Sequence, residues 1–561
     1  MFLIALVMAL LSLALFALTA FSVYLMLYTW ERPERLAASK GPTTYLPPRL
    51  TFSVLVPARH EEAVIYNTVR RIMAANYPPH LVEIVVISHE DDVSTIAEAQ
   101  RIARECADRR VRVETFTGGP INKPHGLNVG LQRTQNEVVT IFDAEDDVDA
   151  NIFNIVNTVM LEEETGIVQA GVQLMNFRDH WFGLLNCLEY FFWFKSRLHF
   201  HAQIGMIPLG GNTVFIRRNL LERIGGWDDH CLTEDAEIGL RLSLLGEPIR
   251  VVYDAQHVTR EETPPTIGAF IRQRTRWSQG FLQVLHKGSW QALPQFRQRM
   301  LAVYTLAYPI LQALLFVLWP LTMVTAFWLT LPVVVVMMSF LPLYAFILQF
   351  VVTAVGAYRF AGEYRLRMPL WTPVVMAITF FPFQWVLGVS AIRAVIRHLV
   401  GTRNWEKTAH VGAHRKPEIV PASEFARLLE MAGHHLGAER GSVLLLDQGA
   451  TTFSVLASRG LPPEIVASAA LDATTGIAGH VARTQRPTII DERFPNPDLK
   501  SRLLLPALRS AVVLPIQQHG STVAVVSLSS ALTTLGEEAL SWLIEQVEAL
   551  GPHRVVATPA R

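Results

Sequence analysis

Long apolar runs stand at the beginning of the chain and again in its middle. Residues 2–29 form an almost uninterrupted run of about 28 residues, which is long enough to cross a hydrocarbon core of roughly 30 Å with some tilt. Two further runs, at about 301–330 and 332–358, are each long enough to span, and a proline between them marks a tight turn. The pattern predicts a transmembrane helix in residues 1–30 and membrane-associated helices in residues 300–398.

A fourth apolar segment, residues 371–398, leaves three arrangements open. Pro373 and Pro382 interrupt it, and Arg393 and Arg397 lie near its end. Basic residues flank it on both sides, so the distribution of charge does not choose between a helix that crosses, a segment that dips in and returns, and a helix at the interface.

Short runs of β-forming residues alternate with helix patterns in residues 50–290. Phe52–Pro57 is such a run, and Val82–Ile87 and Val138–Phe142 repeat the arrangement. Strands that alternate with helices predict a mostly parallel sheet, and ligands of such sheets bind beyond the carboxyl ends of the strands. Acidic clusters follow the second and third of these runs, so we expect a ligand site at that edge.

The last part of the chain lacks long apolar runs. Amphipathic helix patterns at 423–436 and 535–550 enclose strand-like runs, among them 511–515 and 522–528. This pattern predicts a compact α+β domain over residues 420–551.

Composition supports a membrane protein and excludes nucleic acid as a partner. Only 17% of the residues are charged, against roughly 25% in an average soluble protein. Lysine plus arginine and aspartate plus glutamate each number 49, so there is no basic excess to bind nucleic acid. The three cysteines show no metal-ligand spacing and are expected to be free thiols in a reducing compartment. They are Cys106, Cys187 and Cys231.

The charges around the first apolar run predict its orientation. No charge precedes the run and four basic residues follow it, which places residue 30 onward in the cytoplasm by the positive-inside rule. These are Arg32, Arg35, Lys40 and Arg49. A signal peptide would have a basic beginning and an apolar stretch of only about 7–15 residues, so an anchor in the cell membrane is expected.

Five polar motifs follow one another before the apolar hairpin. They are the acids of Ser88–Asp92, Lys123 in NKPHGLN, the cluster Asp143–Asp147, the triplet Thr233–Asp235 and the sequence QRTRW at Gln273–Trp277. Their order resembles the processive family 2 glycosyltransferases, relatives of cellulose and hyaluronan synthases, over about residues 50–400. The resemblance implies an α/β catalytic domain of the GT-A type, with a mostly parallel sheet, joined to transmembrane helices.

The resemblance places a metal ion at the third motif. Asp143 and Glu145 would hold Mg²⁺ or Mn²⁺ beside the diphosphate of a nucleotide sugar, because such hard ions take oxygen ligands. The family usually has two aspartates here, so it stays open whether Glu145 or Asp146 reaches the metal or the nucleotide. An acidic loop in solvent would explain the cluster if it stood alone.

The first two motifs would contact the nucleotide. By resemblance Asp91 or Asp92 touches uridine, with the choice between them open, and Lys123 lies near the diphosphate, where an ammonium group is attracted by negative charge. A solvated lysine at a helix start is the alternative for Lys123.

The triplet TED opens a helix pattern, with Thr233 placed to cap it. Capping alone leaves Glu234 and Asp235 unexplained. The resemblance implies that Asp235 is the general base of an inverting reaction, with Glu234 beside it in the catalytic site.

The remaining contacts would come from QRTRW and from an upstream loop. By resemblance Gln273 and Arg276 bind the nucleotide diphosphate, and Trp277 binds the acceptor, although Trp277 could instead anchor the chain at the membrane interface. Gly211 and Asn212 lie where the family has a small-residue acceptor motif that commonly ends in threonine, so Asn212 is a second departure.

The C-terminal domain resembles a GAF domain. The resemblance rests on TTGIAGHVARTQRPTIIDE at 474–492 and SAVVLPIQQHGSTVAVVSLSS at 510–530. Neither a bilin-attaching cysteine nor an NKFDE motif is present, so a small-molecule ligand and pairing of chains both stay open. A cytoplasmic GAF domain would require an even number of crossings after the catalytic domain, which favours a re-entrant or interfacial segment 371–398.

Three functions compete. We expect a membrane-embedded enzyme that extends a polysaccharide from a nucleotide sugar, with UDP as the favoured nucleotide, under the control of its GAF domain. The second hypothesis limits the transferase to single additions onto a lipid or glycan acceptor. The third is a sensory membrane protein with a degenerate transferase domain. The departures at Glu145 and Asn212 support it, whereas the intact TED and QRTRW motifs argue against it.

Overall fold

The computed structural model describes residues 2–105, 110–402, 422–446, 452–461, 471–491, 494, 509–518 and 521–550. The chain divides into two compact units, Met1–Arg415 and Lys416–Arg561, and each is described by itself. Cys187 and Cys231 are free and buried in the first unit. Cys106 lies outside the described residues.

The first unit contains a seven-stranded sheet and the helices that cover it. Its strands are β1 (Phe52–Pro57), β2 (Val82–His89), β3 (Val111–Phe116), β4 (Val138–Ile141), β5 (Ile167–Ala170), β6 (Val172–Leu174), β7 (Val214–Arg217), β8 (Ile249–Val252) and β9 (Thr259–Glu261). The order in the sheet is β3-β2-β1-β4-β7-β5-β8, and β6 pairs with β9 in a separate ladder. All neighbours in the large sheet are parallel except β7, which is antiparallel to β4 and β5. The prediction of a mostly parallel sheet is confirmed.

The central strands β1, β2 and β4 are buried on both faces, as in parallel sheets covered by helices. Leu55 and Val85 belong to the apolar core on one face, whereas Val54 and Val86 belong to the core on the other. Because side chains alternate along a strand, two such cores require runs that are apolar at nearly every position. This accounts for the sequence of β1 and β2.

The helices of the first unit begin with a long apolar helix and end with a second apolar group. They are α1 (Phe2–Leu27), α2 (Pro33–Ala38), α3 (Ile65–Met73), α4 (Val93–Glu105), α5 (Lys123–Arg133), α6 (Ile152–Glu162), α7 (Gly183–Phe192), α8 (Leu198–Ile204), α9 (Arg218–Ile224), α10 (Glu234–Leu244), α11 (Ile267–Lys287), α12 (Phe296–Leu306), α13 (Tyr308–Trp328), α14 (Val333–Ser339), α15 (Leu341–Glu363) and α16 (Thr372–Val400). A π-helical turn, Trp193–Arg197, joins α7 to α8.

Four helical segments of the described chain are long and apolar enough to cross a membrane. They are Leu3–Leu27, Tyr308–Trp328, Val333–Glu363 and Thr372–Val400. Three of them coincide with the predicted anchor and hairpin. The fourth is α16, which continues through Pro382 as one helix and packs along α11, the helix that carries QRTRW.

The second unit is an α+β domain built on one antiparallel sheet. Its strands are β10 (Arg440–Leu446), β11 (Thr452–Arg459), β12 (Leu471–Asp472), β13 (Thr488–Ile490), β14 (Ser510–Gln518) and β15 (Ser521–Ser530), in the order β12-β11-β10-β15-β14-β13. Helices α17 (Ala422–Leu436) and α19 (Glu537–Ala549) share one core with the sheet, whereas α18 (Gly476–Thr484) contributes to a second core. The predicted α+β architecture is confirmed.

Candidate active site

A single cavity of about 640 Å³ brings most of the sequence motifs together. It lies at the carboxyl ends of the parallel strands and continues between the apolar helices, where Gln312 and Gln384 line it. Ten of the twelve predicted site residues border the cavity. They are Lys123, Asp143, Glu145, Gly211, Asn212, Glu234, Asp235, Gln273, Arg276 and Trp277.

Lys123 is the first residue of α5, directly after an N-cap. The side chain of Asn122 accepts a hydrogen bond from the backbone of His125 and so fixes the start of the helix. The ammonium of Lys123 donates to the carboxylate of Asp143 and, over 2.9 Å, to the carbonyl of Gly211. Burial alone would lower its pKa, but Asp143 and Glu234 outweigh burial and the pKa is raised. A fixed positive charge therefore stands at the end of β4.

The acidic cluster divides into residues that face the cavity and one that does not. Asp143 and Glu145 line it, whereas Asp146 is fully buried and accepts a 2.8 Å hydrogen bond from the backbone of Asp143. Burial, followed by the charge of Glu261, raises the pKa of Asp146 well above its usual range. Of the two neighbours that the sequence left open, Glu145 is the one that reaches the cavity.

Asp143 and Glu145 fit a hard divalent ion. Among the described residues no group of three or more histidine, cysteine, aspartate or glutamate side chains is arranged to hold a metal. Mg²⁺ is commonly held by one or two carboxylates and completes its shell with water and substrate phosphates. Two cavity-facing carboxylates are sufficient for that arrangement.

The departure at Asn212 has a structural explanation. Its amide donates to both carboxylate oxygens of Asp146 at 2.9 Å and also to Glu261. A threonine hydroxyl has one proton to donate and could not serve two carboxylates at once. Gly211 precedes it where space is short, because a Cβ there would lie 3.3 Å from Oδ2 of Asp235.

The TED triplet places two acids at the start of α10. The side chain of Thr233 makes no capping hydrogen bond, so the capping alternative has no support in the structure. Burial, followed by repulsion from Asp235, raises the pKa of Glu234 to about 7. Burial also raises the pKa of Asp235, against the hydrogen bond from the Ala236 backbone. The pair is therefore poised to exchange a proton near neutral pH.

The QRTRW helix contains a contact that the sequence did not reveal. Arg274, the second residue of the motif, donates to Glu189 at 2.7 Å, and its guanidinium lies 4.7 Å from the ring centroid of Trp277. The ring of Tyr190 lies 6.3 Å away on a neighbouring helix. Glu189 and Tyr190 of α7 thus help to orient Trp277. The local sequence around Trp277 could not indicate this contact.

Asp91 and Asp92 are not among the residues that line the cavity. Asp92 is buried and accepts a 2.6 Å hydrogen bond from the backbone of His60. Asp91 is exposed and forms a bidentate pair with Arg59, which lowers the pKa of Asp91. Their partners Arg59 and His60 border the cavity, so Asp91 and Asp92 hold two residues that line it. Contact of Asp91 or Asp92 with uridine stays a prediction.

The comparisons with protein families agree with the motifs. Residues 47–280 match the family described as glycosyltransferase like family 2, and residues 421–551 match the GAF domain family. The chain contains a family 2 glycosyltransferase domain. A GAF domain follows it, as the sequence predicted.

Relatives of the glycosyltransferase domain are named for different activities. The chain is 29% identical over 257 residues to a probable glycosyltransferase, YdaM, of Bacillus subtilis, covering 44% of this chain and 59% of that protein. It is 27% identical to a β-monoglucosyldiacylglycerol synthase of Trichormus variabilis, covering 64% and 76%. It is 23% identical to a poly-β-1,6-N-acetyl-D-glucosamine synthase of Staphylococcus epidermidis, covering 46% and 60%.

Among solved structures, the chain resembles the mannosyltransferase PcManGT of Pyrobaculum calidifontis in complex with GDP-Man and Mn²⁺. The identity is 17%, the TM-score is 0.43, and the match covers 70% of this chain and 99% of that one.

Proposed function

We propose that this protein is a membrane-embedded, inverting hexosyltransferase that uses a UDP-sugar to extend a polysaccharide. The observation that carries the proposal is the single cavity in which Lys123, Asp143, Asp235 and Trp277 meet. These groups supply positive charge, a metal-binding carboxylate, a base and an aromatic platform.

The reaction follows from these positions. Asp235 accepts the proton of the acceptor hydroxyl, whose oxygen attacks the anomeric carbon as the bond to the nucleotide diphosphate breaks. Lys123 and Arg276 bind the departing diphosphate. A Mg²⁺ or Mn²⁺ ion held by Asp143 and Glu145 would neutralise the same negative charge.

Glu234 influences what fraction of Asp235, the general base, is ionised. With a pKa of about 7 beside a second raised carboxyl, the pair holds part of one proton at neutral pH. We infer that Glu234 carries this proton and leaves Asp235 ionised. Gln273 and Trp277, both on α11, hold donor and acceptor.

A lipid acceptor is the second candidate. It is supported by the continuation of the cavity between the apolar helices, where Leu25 and Phe380 line it, and by the relative that makes a glucosyl lipid. Such an acceptor would enter from the bilayer.

The position of α16 supports a cytoplasmic GAF domain. Phe383 lies 5.6 Å from Phe270 between ring centroids, and Arg397 donates to Gln279 at 3.0 Å. Because α16 follows the transferase helix α11 over this length, we propose that it lies beside the catalytic domain at the interface rather than crossing the membrane. The GAF domain would then share a compartment with the catalytic domain.

The experiment is release of nucleotide diphosphate by membranes that contain the full chain, supplied with Mg²⁺ or Mn²⁺ and a panel of UDP- and GDP-sugars. Asp235→Asn is expected to lose about 10²- to 10⁴-fold in rate, the usual contribution of a general base. The matched control is Asp179→Asn, an exposed residue that does not border the cavity. Analysis of product length and of lipid extracts separates the two acceptors.

Failure of every donor with folded protein would contradict the proposal, as would equal rates for wild type and Asp235→Asn. We further propose that a small-molecule ligand or pairing of chains through the GAF domain regulates synthesis. Deletion of residues 420–561 should then change rate or oligomeric state, and no change in either would refute it.

A further inference from the structure

A π-helical turn interrupts the helix that forms one wall of the cavity. It spans Trp193–Arg197 between α7 and α8, and its two end residues line the cavity together with His201. π-turns weaken the regular hydrogen-bond ladder of a helix and are found mostly where function requires a changed side-chain direction. None of the motifs above includes these residues.

The ring of His201 is held in one orientation and one tautomer. Its Nδ1 lies 3.0 Å from the carbonyl oxygen of Met206, which can only accept, so Nδ1 carries the proton. In return the backbone N–H of Met206 donates to the carbonyl of His201 over 3.2 Å. Burial lowers the pKa of His201 to about 4, so the ring is neutral at pH 7. Its Nε2 therefore presents a lone pair.

Trp193 lies beside this ring and offers the complementary group. The two ring centroids are 6.2 Å apart and the ring planes are tilted by 46°. Both residues border the cavity, and neither the indole Nε1–H nor Nε2 of His201 has a hydrogen-bond partner among the residues described. A donor, an acceptor and an aromatic ring thus stand together at the cavity wall.

The rings of Trp193 and His201 suit an uncharged ligand. Neither the neutral imidazole nor the indole carries a net charge, and the guanidinium of Arg197 donates a 2.7 Å hydrogen bond to Ser22. Aromatic rings beside a hydroxyl-accepting and a hydroxyl-donating group suit a polyhydroxylated ring or a glycerol group.

We propose that Trp193 and His201 form an acceptor subsite that binds an uncharged, hydroxyl-bearing group. The subsite rests on the proposed function, because its ligand is the molecule that receives the sugar. A hydroxyl of that molecule donates to Nε2 of His201, and the indole of Trp193 donates to a second oxygen. The group is either a sugar of a growing glycan or the headgroup of a lipid.

The test uses two substitutions of His201, each of which retains a polar group at the position of one ring nitrogen and removes the other. Asparagine overlays Nδ1 and can still donate to the carbonyl of Met206, so His201→Asn removes the proposed contact alone. Glutamine reaches the position of Nε2, so His201→Gln is expected to restore part of it. His199→Asn is the matched control, because the Nε2 of His199 is enclosed by protein and the residue does not border the cavity.

Initial rates with full-length protein are measured against acceptor concentration, once with a soluble oligosaccharide and once with a diacylglycerol glycolipid in vesicles. His201→Asn should raise KM for the acceptor about five-fold, the loss of one neutral hydrogen bond, and leave KM for the donor unchanged. His201→Gln should lie between it and the wild type. The arm in which KM rises identifies the source of the hydroxyl group.

An unchanged acceptor KM in His201→Asn, or an equal rise in donor KM, would overturn the subsite. If His201→Asn does not fold, Trp193→Phe retains the ring, removes the donor and should raise only the acceptor KM. If the wild type transfers no sugar, the proposed function fails by itself. Quenching of tryptophan fluorescence by acceptor then tests the subsite without turnover, and equal quenching in wild type and Trp193→Phe would refute it.

Discussion

The charge of Lys123 should set the pH at which the transferase becomes active. Its ammonium and the carboxylate of Asp235 both lie close to Gly211. A Cβ placed on that glycine would be 3.5 Å from Nζ of Lys123 and 3.3 Å from Oδ2 of Asp235. The two charged atoms are therefore no more than about 7 Å apart, and each stabilises the ionised form of the other.

The size of the effect follows from that separation. With an effective dielectric constant of about 20, two unit charges about 7 Å apart interact by about 2.4 kcal/mol. At 1.36 kcal/mol for each pKa unit, removal of the positive charge should raise the pKa of Asp235 by about 1.7 units. A base works only when ionised, so a raised pKa moves the acid limb of the activity profile to higher pH.

The assay is kcat/KM for the nucleotide sugar across the pH range in which the protein stays folded. The wild-type acid limb should report protonation of Asp235, whose pKa burial raises, and Lys123→Gln should move this limb to higher pH by between one and two units. Lys123→Arg keeps the charge and should leave the limb in place even if KM changes. A limb at the same pH in wild type and Lys123→Gln would refute the electrostatic coupling of Lys123 to the TED pair.

Two substitutions in α11 test how the site is supported. Gly280→Ala would place Cβ 2.4 Å from Oγ1 of Thr233, so we expect a loss of about 1–3 kcal/mol in unfolding free energy together with activity. Gly268→Ala, whose nearest contact would be 3.5 Å, should keep both, and equal thermal stability of the two variants would contradict this reasoning. Arg274→Ala removes the guanidinium that pairs with Glu189. The unfolding free energy should fall by only about 2 kcal/mol, because Glu189 is about one-third exposed. The acceptor KM should rise, because Trp277 loses its contact with Arg274. An unchanged KM would show that Trp277 does not depend on that arginine.

The strands and the order of motifs were readable from local pattern. β1 occupies Phe52–Pro57, as predicted, and β2 extends the predicted Val82–Ile87 by two residues. A doubly buried strand must be apolar at nearly every position, and a motif that follows a parallel strand must lie at one edge of the sheet. Both arguments need only the spacing of residues along the chain.

The contacts that complete the site depend on segments far apart in sequence. Asn212 looked like a weakened acceptor motif until its amide was found between Asp146 and Glu261. The sequence assigned no role to Arg274, and its partner Glu189 lies more than 80 residues earlier. Such pairings are set by the packing of helices against the sheet and leave no local signal.

The packing of α16 on α11 also constrains the order in which the protein can mature on the ribosome. Thr275 and Gln279 of α11 are buried, and their contacts include Ser390 and Thr402 of a segment synthesised more than 100 residues later. Part of the surface of α11 therefore stays uncovered until α16 has been synthesised and has left the ribosome. Truncated or stalled chains that end before α16 would expose that surface, and we expect quality-control proteases to remove them.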